Sequence, residues 1–181
     1  MNIQKLKNQS FAILFLVLGV SVNAQNGENI LGFVDDTEQF KTVELAHMDR
    51  ELSTFVNLVH LSGLATSLEF TEEHTVFIPT NEAFGKMSIE RFAELTNPQN
   101  RDKLMDFVRN HVVSAKVMTE EFEEMQVIDS AGDKEIAVSV GANGGPIFIG
   151  GAEIIKGNII GSNGVIHIVD NIVEAESDIV D

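Results

Sequence analysis

From Thr42 onwards the pattern of apolar and polar positions becomes that of α-helices. Spacings of three and four residues place side chains on one helix face, and the first such set is Leu52, Phe55, Val56 and Val59. Gly63 follows where a left-handed glycine would end that helix. Asn97-Pro98 predicts another helix start, since asparagine caps helices and proline favours their first position. Its predicted apolar face contains Leu104, Phe107, Val108, His111 and Val112.

The period changes after about Gln126, where short apolar runs alternate with glycine and asparagine turns. These runs predict strands at 136–140, 147–149, 153–155, 158–160 and 165–169. Strands separated by so few residues favour antiparallel pairing, because a parallel crossover needs a longer connection. An earlier β-prone run at 75–78 is ended by Pro79, which lacks an N–H for the ladder. Helices followed by strands predict the α+β fold class.

The first 24 residues have the layout of a secretory signal peptide. Lys5 and Lys7 precede an apolar run at 11–20, and small residues then lead to a cleavage point after Ala24. Because this run is too short to span a bilayer, cleavage is favoured over the alternative of an uncut N-terminal membrane anchor, and we expect a secreted or periplasmic protein with no membrane span after cleavage. The rest of the chain divides into a leader at 25–39, a domain at 40–173 and an acidic tail at 174–181.

Charge and composition exclude several functions. The 181 residues include 12 Lys and Arg against 28 Asp and Glu, a formal net charge of −16, and cleavage after Ala24 would remove two lysines and leave −18. Nucleic acid is not expected as a partner, because its phosphates bind Lys and Arg. The chain has no cysteine, which excludes disulfides, zinc–thiolate sites and cysteine nucleophiles.

Two segments resemble the signature boxes of the fasciclin (FAS1) domain family. The first, 75–84, has the sequence TVFIPTNEAF, and the second, 163–173, has the sequence NGVIHIVDNIV, starting 88 residues later as in the family. The resemblance covers 40–173 and implies a FAS1-like fold, with helices from the N-terminal half packed on a wedge of mainly antiparallel strands. The candidate interaction residues are Thr75, Phe77, Pro79, Thr80, Asn81, Phe84, Asn110, His111, Asn163, Gly164, His167 and Asp170.

The residues themselves favour a structural role for both boxes, because buried strands usually serve packing. In the first box, Val76 and Ile78 alternate with Thr75 and Phe77, as in a strand between two packed layers. Thr80 or Asn81 can cap the next helix. In the second box, Asn163-Gly164 supplies a turn, and His167 needs a hydrogen-bond partner if it is buried. Direct contact with a ligand is the alternative.

The chain departs from the family pattern in two places. Many members have a Tyr-His pair between the boxes, where this chain has Asn110-His111. The histidine is kept but the aromatic hydroxyl is absent, which argues against an adhesive role for this pair. Some animal members carry an Asp-Ile element linked to integrin binding, and the corresponding Asn158-Ile159 lacks the carboxylate. Integrin is therefore not expected as a partner.

The sequence predicts neither catalysis nor a cofactor. Its five histidines lack metal-binding spacing, so a structural role is favoured for them, and the acidic cluster at 120–124 lacks the calcium-loop pattern. The leading hypothesis, implied by the resemblance, is a secreted non-catalytic FAS1 module that binds extracellular matrix, a cell-surface protein or a polysaccharide in cell adhesion. The alternative is a secreted or periplasmic carrier that binds a small ligand between helices and sheet.

Overall fold

The structure is a computed structural model that describes residues 34–176. The predicted signal peptide, most of the leader and the end of the acidic tail lie outside these residues. The α-helices of the described range are α1 (Thr42–His47), α2 (Ser53–Ser62), α3 (Ala65–Phe70), α4 (Asn81–Gly85), α5 (Ile89–Thr96) and α6 (Arg101–Asn110). Its strands are β1 (His74–Pro79), β2 (Val112–Val113), β3 (Val127–Asp129), β4 (Glu135–Val140), β5 (Ile147–Ile149), β6 (Ala152–Gly161) and β7 (Gly164–Val169).

Local sequence signals set several helix ends. The predicted apolar face of α2 is buried, and Gly63 ends this helix in the left-handed conformation with φ of 82°. Thr80 caps α4, because its hydroxyl oxygen accepts the N–H of Ala83 at 3.2 Å. Asn97 caps a 3₁₀ turn that leads into α6. Since α6 ends at Asn110, the prediction that its apolar face extends to His111 and Val112 is wrong: His111 is the residue that follows the helix, and Val112 belongs to β2.

The seven described strands form one sheet in the order β2-β1-β7-β6-β5-β4-β3. Strands β1 and β7 are parallel, from the His74–Gly164 pair to the Pro79–Val169 pair, and the other neighbours are antiparallel. The predicted α+β class and mainly antiparallel sheet are confirmed. The parallel pair joins the two motif boxes, which α5, α6 and the strands β2 to β6 separate along the chain.

Apolar side chains pack on both sides of β1. Val76 and Ile78 join the helices in one cluster, together with Phe55 of α2. Phe77 belongs to a second cluster on the other side, where it meets apolar residues of the antiparallel strands such as Ile149. The first motif box is therefore a strand between two packed layers, as its alternation predicted.

One long strand replaces two predicted short ones. The runs predicted between residues 153 and 160 both belong to β6, and Lys156-Gly157 is not a turn. Pairing with β7 shifts register on either side of Lys156, and Asn158 has a positive φ of 57°. The Asn158 Oδ1 atom accepts the N–H of Thr119 at 2.9 Å, so a distant segment holds the irregular stretch in the sheet.

The chain is still packed where the acidic tail was predicted to begin. Glu174 accepts a hydrogen bond of 2.6 Å from Nη1 of Arg91, and Ala175 is completely buried. The packed domain therefore extends at least to Ala175. Among residues 34–176, no helix combines the length and apolarity that crossing a membrane requires.

Candidate functional site

The two motif boxes form neighbouring strands, and most of their candidate side chains lie inside the domain. Thr80, Asn81 and Asp170 are half-buried. The other nine are buried, namely Thr75, Phe77, Pro79, Phe84, Asn110, His111, Asn163, Gly164 and His167. A macromolecular partner contacts the surface of a domain, so the burial of these nine residues favours a structural role over direct contact with such a partner.

The end of the first box fixes the start of α2. The Asn81 Oδ1 atom accepts the N–H of Thr54 at 2.9 Å, while its Nδ2 group donates to the carbonyl oxygen of Arg50 at 2.8 Å. Asn81 therefore satisfies backbone groups at the N-terminus of α2 rather than capping its own helix. Pro79 ends β1 opposite Val169.

The start of the first box holds the loop that precedes β3. The Thr75 hydroxyl donates to the carbonyl oxygen of Ala115 at 2.7 Å and accepts the N–H of Val117 at 2.9 Å. The Phe77 ring stacks on the His167 ring, with 5.6 Å between centroids. Both boxes therefore contribute to one buried contact under this loop.

The Asn163 side chain joins the second box to the helices. Its Oδ1 atom accepts the N–H of Thr42 at 3.0 Å, and its Nδ2 group donates to the carbonyl oxygen of Leu68 at 3.0 Å. The next residue, Gly164, lies so close to β1 that a Cβ would overlap the carbonyl oxygen of His74. Glycine is therefore required by the close approach of the two strands.

Asp170 connects three elements just after β7. Its Oδ1 atom accepts the N–H of Glu153 in β6 at 2.8 Å. Lys86, which follows α4, donates from Nζ to the Asp170 carbonyl oxygen at 2.9 Å. The Lys86 ammonium also lies 3.7 Å from Asp170 Oδ2. This half-buried residue therefore links the end of β7 to β6 and to the segment after α4.

The Asn110-His111 pair is buried and hydrogen-bonds to other parts of the domain. His111 is fully buried, and its Nδ1–H donates to the carbonyl oxygen of Phe107 at 2.8 Å, while Nε2 accepts the N–H of Val173 at 3.3 Å. Desolvation lowers the pKa of His111 to about 4, partly opposed by the bond to Phe107. The ring is therefore neutral at neutral pH. Beside it, Asn110 Oδ1 accepts the Ser130 hydroxyl at 3.5 Å.

His167 repeats this arrangement in the second box. Its Nε2–H donates to the carbonyl oxygen of Val117 at 2.9 Å, and its Nδ1 accepts the N–H of Asn158 at 3.2 Å. Desolvation lowers the pKa of His167, partly opposed by the bond to Val117 and by the charge of Glu120. The partner that burial requires is thus supplied by the backbone.

A third residue of this kind is His74, which is not among the candidate interaction residues. His74 is fully buried as the first residue of β1. Its Nδ1–H donates to the carbonyl oxygen of Thr71 at 3.0 Å, and its Nε2 accepts the Thr42 hydroxyl at 2.8 Å. Desolvation lowers the pKa of His74 as well. The available signal was a histidine directly before an apolar strand.

These three histidines share one chemistry. Each neutral ring donates to a backbone carbonyl and accepts from an N–H or hydroxyl group. A general acid or base must reach the reacting group of a substrate, whereas both nitrogens of these rings are occupied by the fold. Within residues 34–176, no group of three or more His, Cys, Asp or Glu side chains is placed to hold a metal ion.

The clefts of the described domain differ in size and character. An apolar cavity beneath α1 and α2, bordered by Phe55 and Val59, has a volume of about 20 Å³, room for about one water. A more polar cleft between α3 and α6, bordered by Ser67, Arg109 and Ser114, has a volume of about 250 Å³. Small-molecule pockets usually enclose about 300–1,000 Å³. The apolar cavity is far smaller than that, whereas this cleft approaches that size, as do two others of about 220 and 240 Å³ that are bordered by Arg91 and by Leu61.

Comparisons with known proteins agree with this fold. A family profile described as the Fasciclin domain matches residues 50–175. Protein sll1483 of Synechocystis sp. is 31% identical over 131 residues, covering 72% of this chain and 71% of that protein. Heme ligase of Plasmodium falciparum is 28% identical over 151 residues, and the match covers 71% of this chain and 73% of that protein. The solved FAS1 domain pair of the insect cell adhesion molecule Fasciclin I superposes with a TM-score of 0.57 at 16% identity, covering 79% of this chain and 53% of that one.

Proposed function

This chain belongs to the fasciclin domain family, and we propose that it is an exported, non-catalytic module that attaches cells to one another, to matrix or to a surface. Its partner would be an extracellular matrix component, a cell-surface protein or a polysaccharide. Family membership and the signal peptide predicted at residues 1–24 support this proposal. Fasciclin I, whose domain pair shares this fold, is an insect cell adhesion molecule.

The burial of the motif residues is the observation that carries the proposal. With nine of the twelve candidates inside the domain, the outer surface is the part that meets a partner. That surface presents large apolar side chains, including Ile89 at 83% and Met125 at 86% exposure, among many carboxylates. Apolar side chains within a polar surround are the usual composition of a non-obligate interface.

The strong negative charge constrains the kind of attachment. After the predicted cleavage, with 10 Lys and Arg against 28 Asp and Glu, the exported chain has a net charge of −18 and repels anionic polysaccharides and membranes unless cations lie between them. We therefore expect attachment to an anionic surface to weaken when a chelator removes divalent cations. Attachment to an uncharged partner would depend little on either chelator or salt.

Deletion of the coding region tests the proposal. The deletion strain should aggregate less and attach less to surfaces, and the intact gene should restore both. The matched control is a gene that lacks residues 1–24, which keeps the domain but removes the predicted export signal and should restore neither. Normal aggregation and attachment in the deletion strain would contradict the proposal.

The small-ligand carrier remains a second candidate because of the cleft between α3 and α6. Arg109 borders this cleft and is the group that would bind an anionic ligand there, in competition with Asp106, whose Oδ1 lies 3.6 Å from Arg109 Nη1. A thermal-shift screen against lipids, pigments, sugars and metal ions tests the carrier hypothesis. Binding that raises the melting temperature and is lost in Arg109→Ala would support a carrier, and no shift with any class would contradict it.

A further inference from the structure

Two of the five histidines differ from the buried three. His47, the last residue of α1, and His60, in the last turn of α2, are exposed. Their Nε2 atoms face each other at 2.8 Å, with 5.0 Å between ring centroids. In the three buried rings a backbone or hydroxyl group binds each nitrogen, but here imidazole meets imidazole at the surface.

We propose that His47 and His60 together bind one divalent transition-metal ion, such as Zn²⁺, Ni²⁺ or Cu²⁺, through their two Nε2 atoms. Imidazole nitrogen is a preferred ligand of these ions, whereas Ca²⁺ and Mg²⁺ prefer oxygen. Water would complete the coordination, since the site is open to solvent. For these two residues, the proposal replaces the structural role that their spacing in the sequence favoured.

The distance between the rings fits this chemistry. With metal–nitrogen bonds of about 2.0–2.1 Å and an angle between 90° and 109°, two ligating nitrogens lie about 2.8–3.4 Å apart. The observed 2.8 Å lies at the lower end of this range, and rotation of the two exposed side chains would turn both lone pairs toward one ion. In the pair without metal, one ring donates its Nε2–H to the other. Shifting that proton to Nδ1 frees both Nε2 lone pairs for the ion without a net change in protonation.

The surroundings also favour a cation. His60 lies in the last turn of the ten-residue helix α2, where the Arg101 guanidinium donates to the Ser62 carbonyl oxygen at 3.2 Å, so the attraction for a cation comes from carboxylates and not from the helix end. Glu44 is exposed one turn before His47 on α1, and the whole chain carries a net charge of −16. The ion would thus connect the ends of α1 and α2, which pack against each other in the domain.

Metal titration of the purified protein tests this site. Calorimetry with Zn²⁺ should show one ion bound per chain, and excess Ca²⁺ or Mg²⁺ should not displace it. His47→Ala and His60→Ala should each weaken binding by about tenfold or more, because one imidazole cannot chelate alone. The control is Glu123→Gln, which removes one carboxylate from the exposed acidic cluster and should leave Zn²⁺ affinity unchanged.

Copper provides an independent readout of the ligands. With one equivalent of Cu²⁺, electron paramagnetic resonance should show coupling to two imidazole nitrogens, and each single-histidine variant should lose one of them. Circular dichroism will verify that the variants are folded, which we expect because both side chains are exposed. Zn²⁺ binding that survives in the double variant, or no saturable binding below about 1 mM, would overturn the proposal.

Discussion

Replacing His111 by glutamine should make the domain less sensitive to acid. In the unfolded chain the pKa of a histidine is about 6.5, whereas burial lowers the pKa of His111 to about 4 in the folded domain. Between these values the unfolded chain binds more protons, so the free energy of unfolding falls as the pH falls. Above about pH 6.5 the contribution of the neutral ring is complete.

The size of this effect follows from the shift. One pKa unit corresponds to about 1.4 kcal/mol, so protonation linked to His111 removes about 2 kcal/mol between pH 7 and 5 and about 3 kcal/mol by pH 4. The pKa values of His74 and His167 are lowered in the same direction and add to the loss. The range from pH 7 to 5 is the useful one, because most carboxylates begin to protonate below it.

Urea unfolding at a series of pH values measures this loss. Circular dichroism is the suitable signal, since the chain has neither tryptophan nor tyrosine. At pH 7, His111→Gln should be less stable than the wild type, because two buried hydrogen bonds are disturbed. Between pH 7 and 5 it should lose about 2 kcal/mol less than the wild type.

Val108→Ala is the matched control for the His111 experiment. Val108 is completely buried on α6, one turn before His111, and does not titrate. Its truncation should lower the free energy of unfolding by about 2 kcal/mol, while the dependence of that free energy on pH should stay as in the wild type. If His111→Gln and the wild type lost stability in parallel between pH 7 and 5, the reasoning that His111 is buried in its neutral form would be refuted.

Three further substitutions test the contacts around the motif boxes, each measured by urea unfolding. Asn163→Ala should cost about 2–4 kcal/mol, because it leaves several buried backbone groups without partners; a cost below about 1 kcal/mol would contradict this. Gly164→Ala should cost about 2 kcal/mol or more, since its Cβ would overlap the His74 backbone, and an unchanged unfolding midpoint would count against that close approach. Arg91→Ala should cost only about 0.5 kcal/mol and less at high salt, because its pair with Glu174 is partly exposed; a cost independent of salt would disprove an ionic origin.

Features determined by neighbouring residues were predictable from the sequence. The buried face of α2 follows from a three-to-four-residue period, and its end follows from Gly63, the residue whose backbone most easily adopts a positive φ. The two-sided burial of β1 likewise follows from a short apolar run. In each case the physical cause acts within one or two turns of chain.

Features that depend on distant partners were not predictable in this way. The parallel pairing of β1 with β7 joins His74 to Gly164, and nothing in either box specifies the direction of its neighbour. The continuity of β6 depends on Asn158 binding Thr119, 39 residues away. His47 and His60 have no metal-binding spacing along the chain, and only the packing of α1 against α2 brings their rings together.

Attachment of cells to the isolated protein tests the central claim, that the outer surface of this exported domain serves adhesion. The measurement is the number of cells of the source organism retained under flow on a surface coated with the purified protein, compared with a coat of an inert protein of equal net charge. We expect several times more cells on the surface coated with this protein than on the control surface. The same protein added in solution should compete for the cells and reduce the number retained. Equal retention on the two coats would contradict the proposed function.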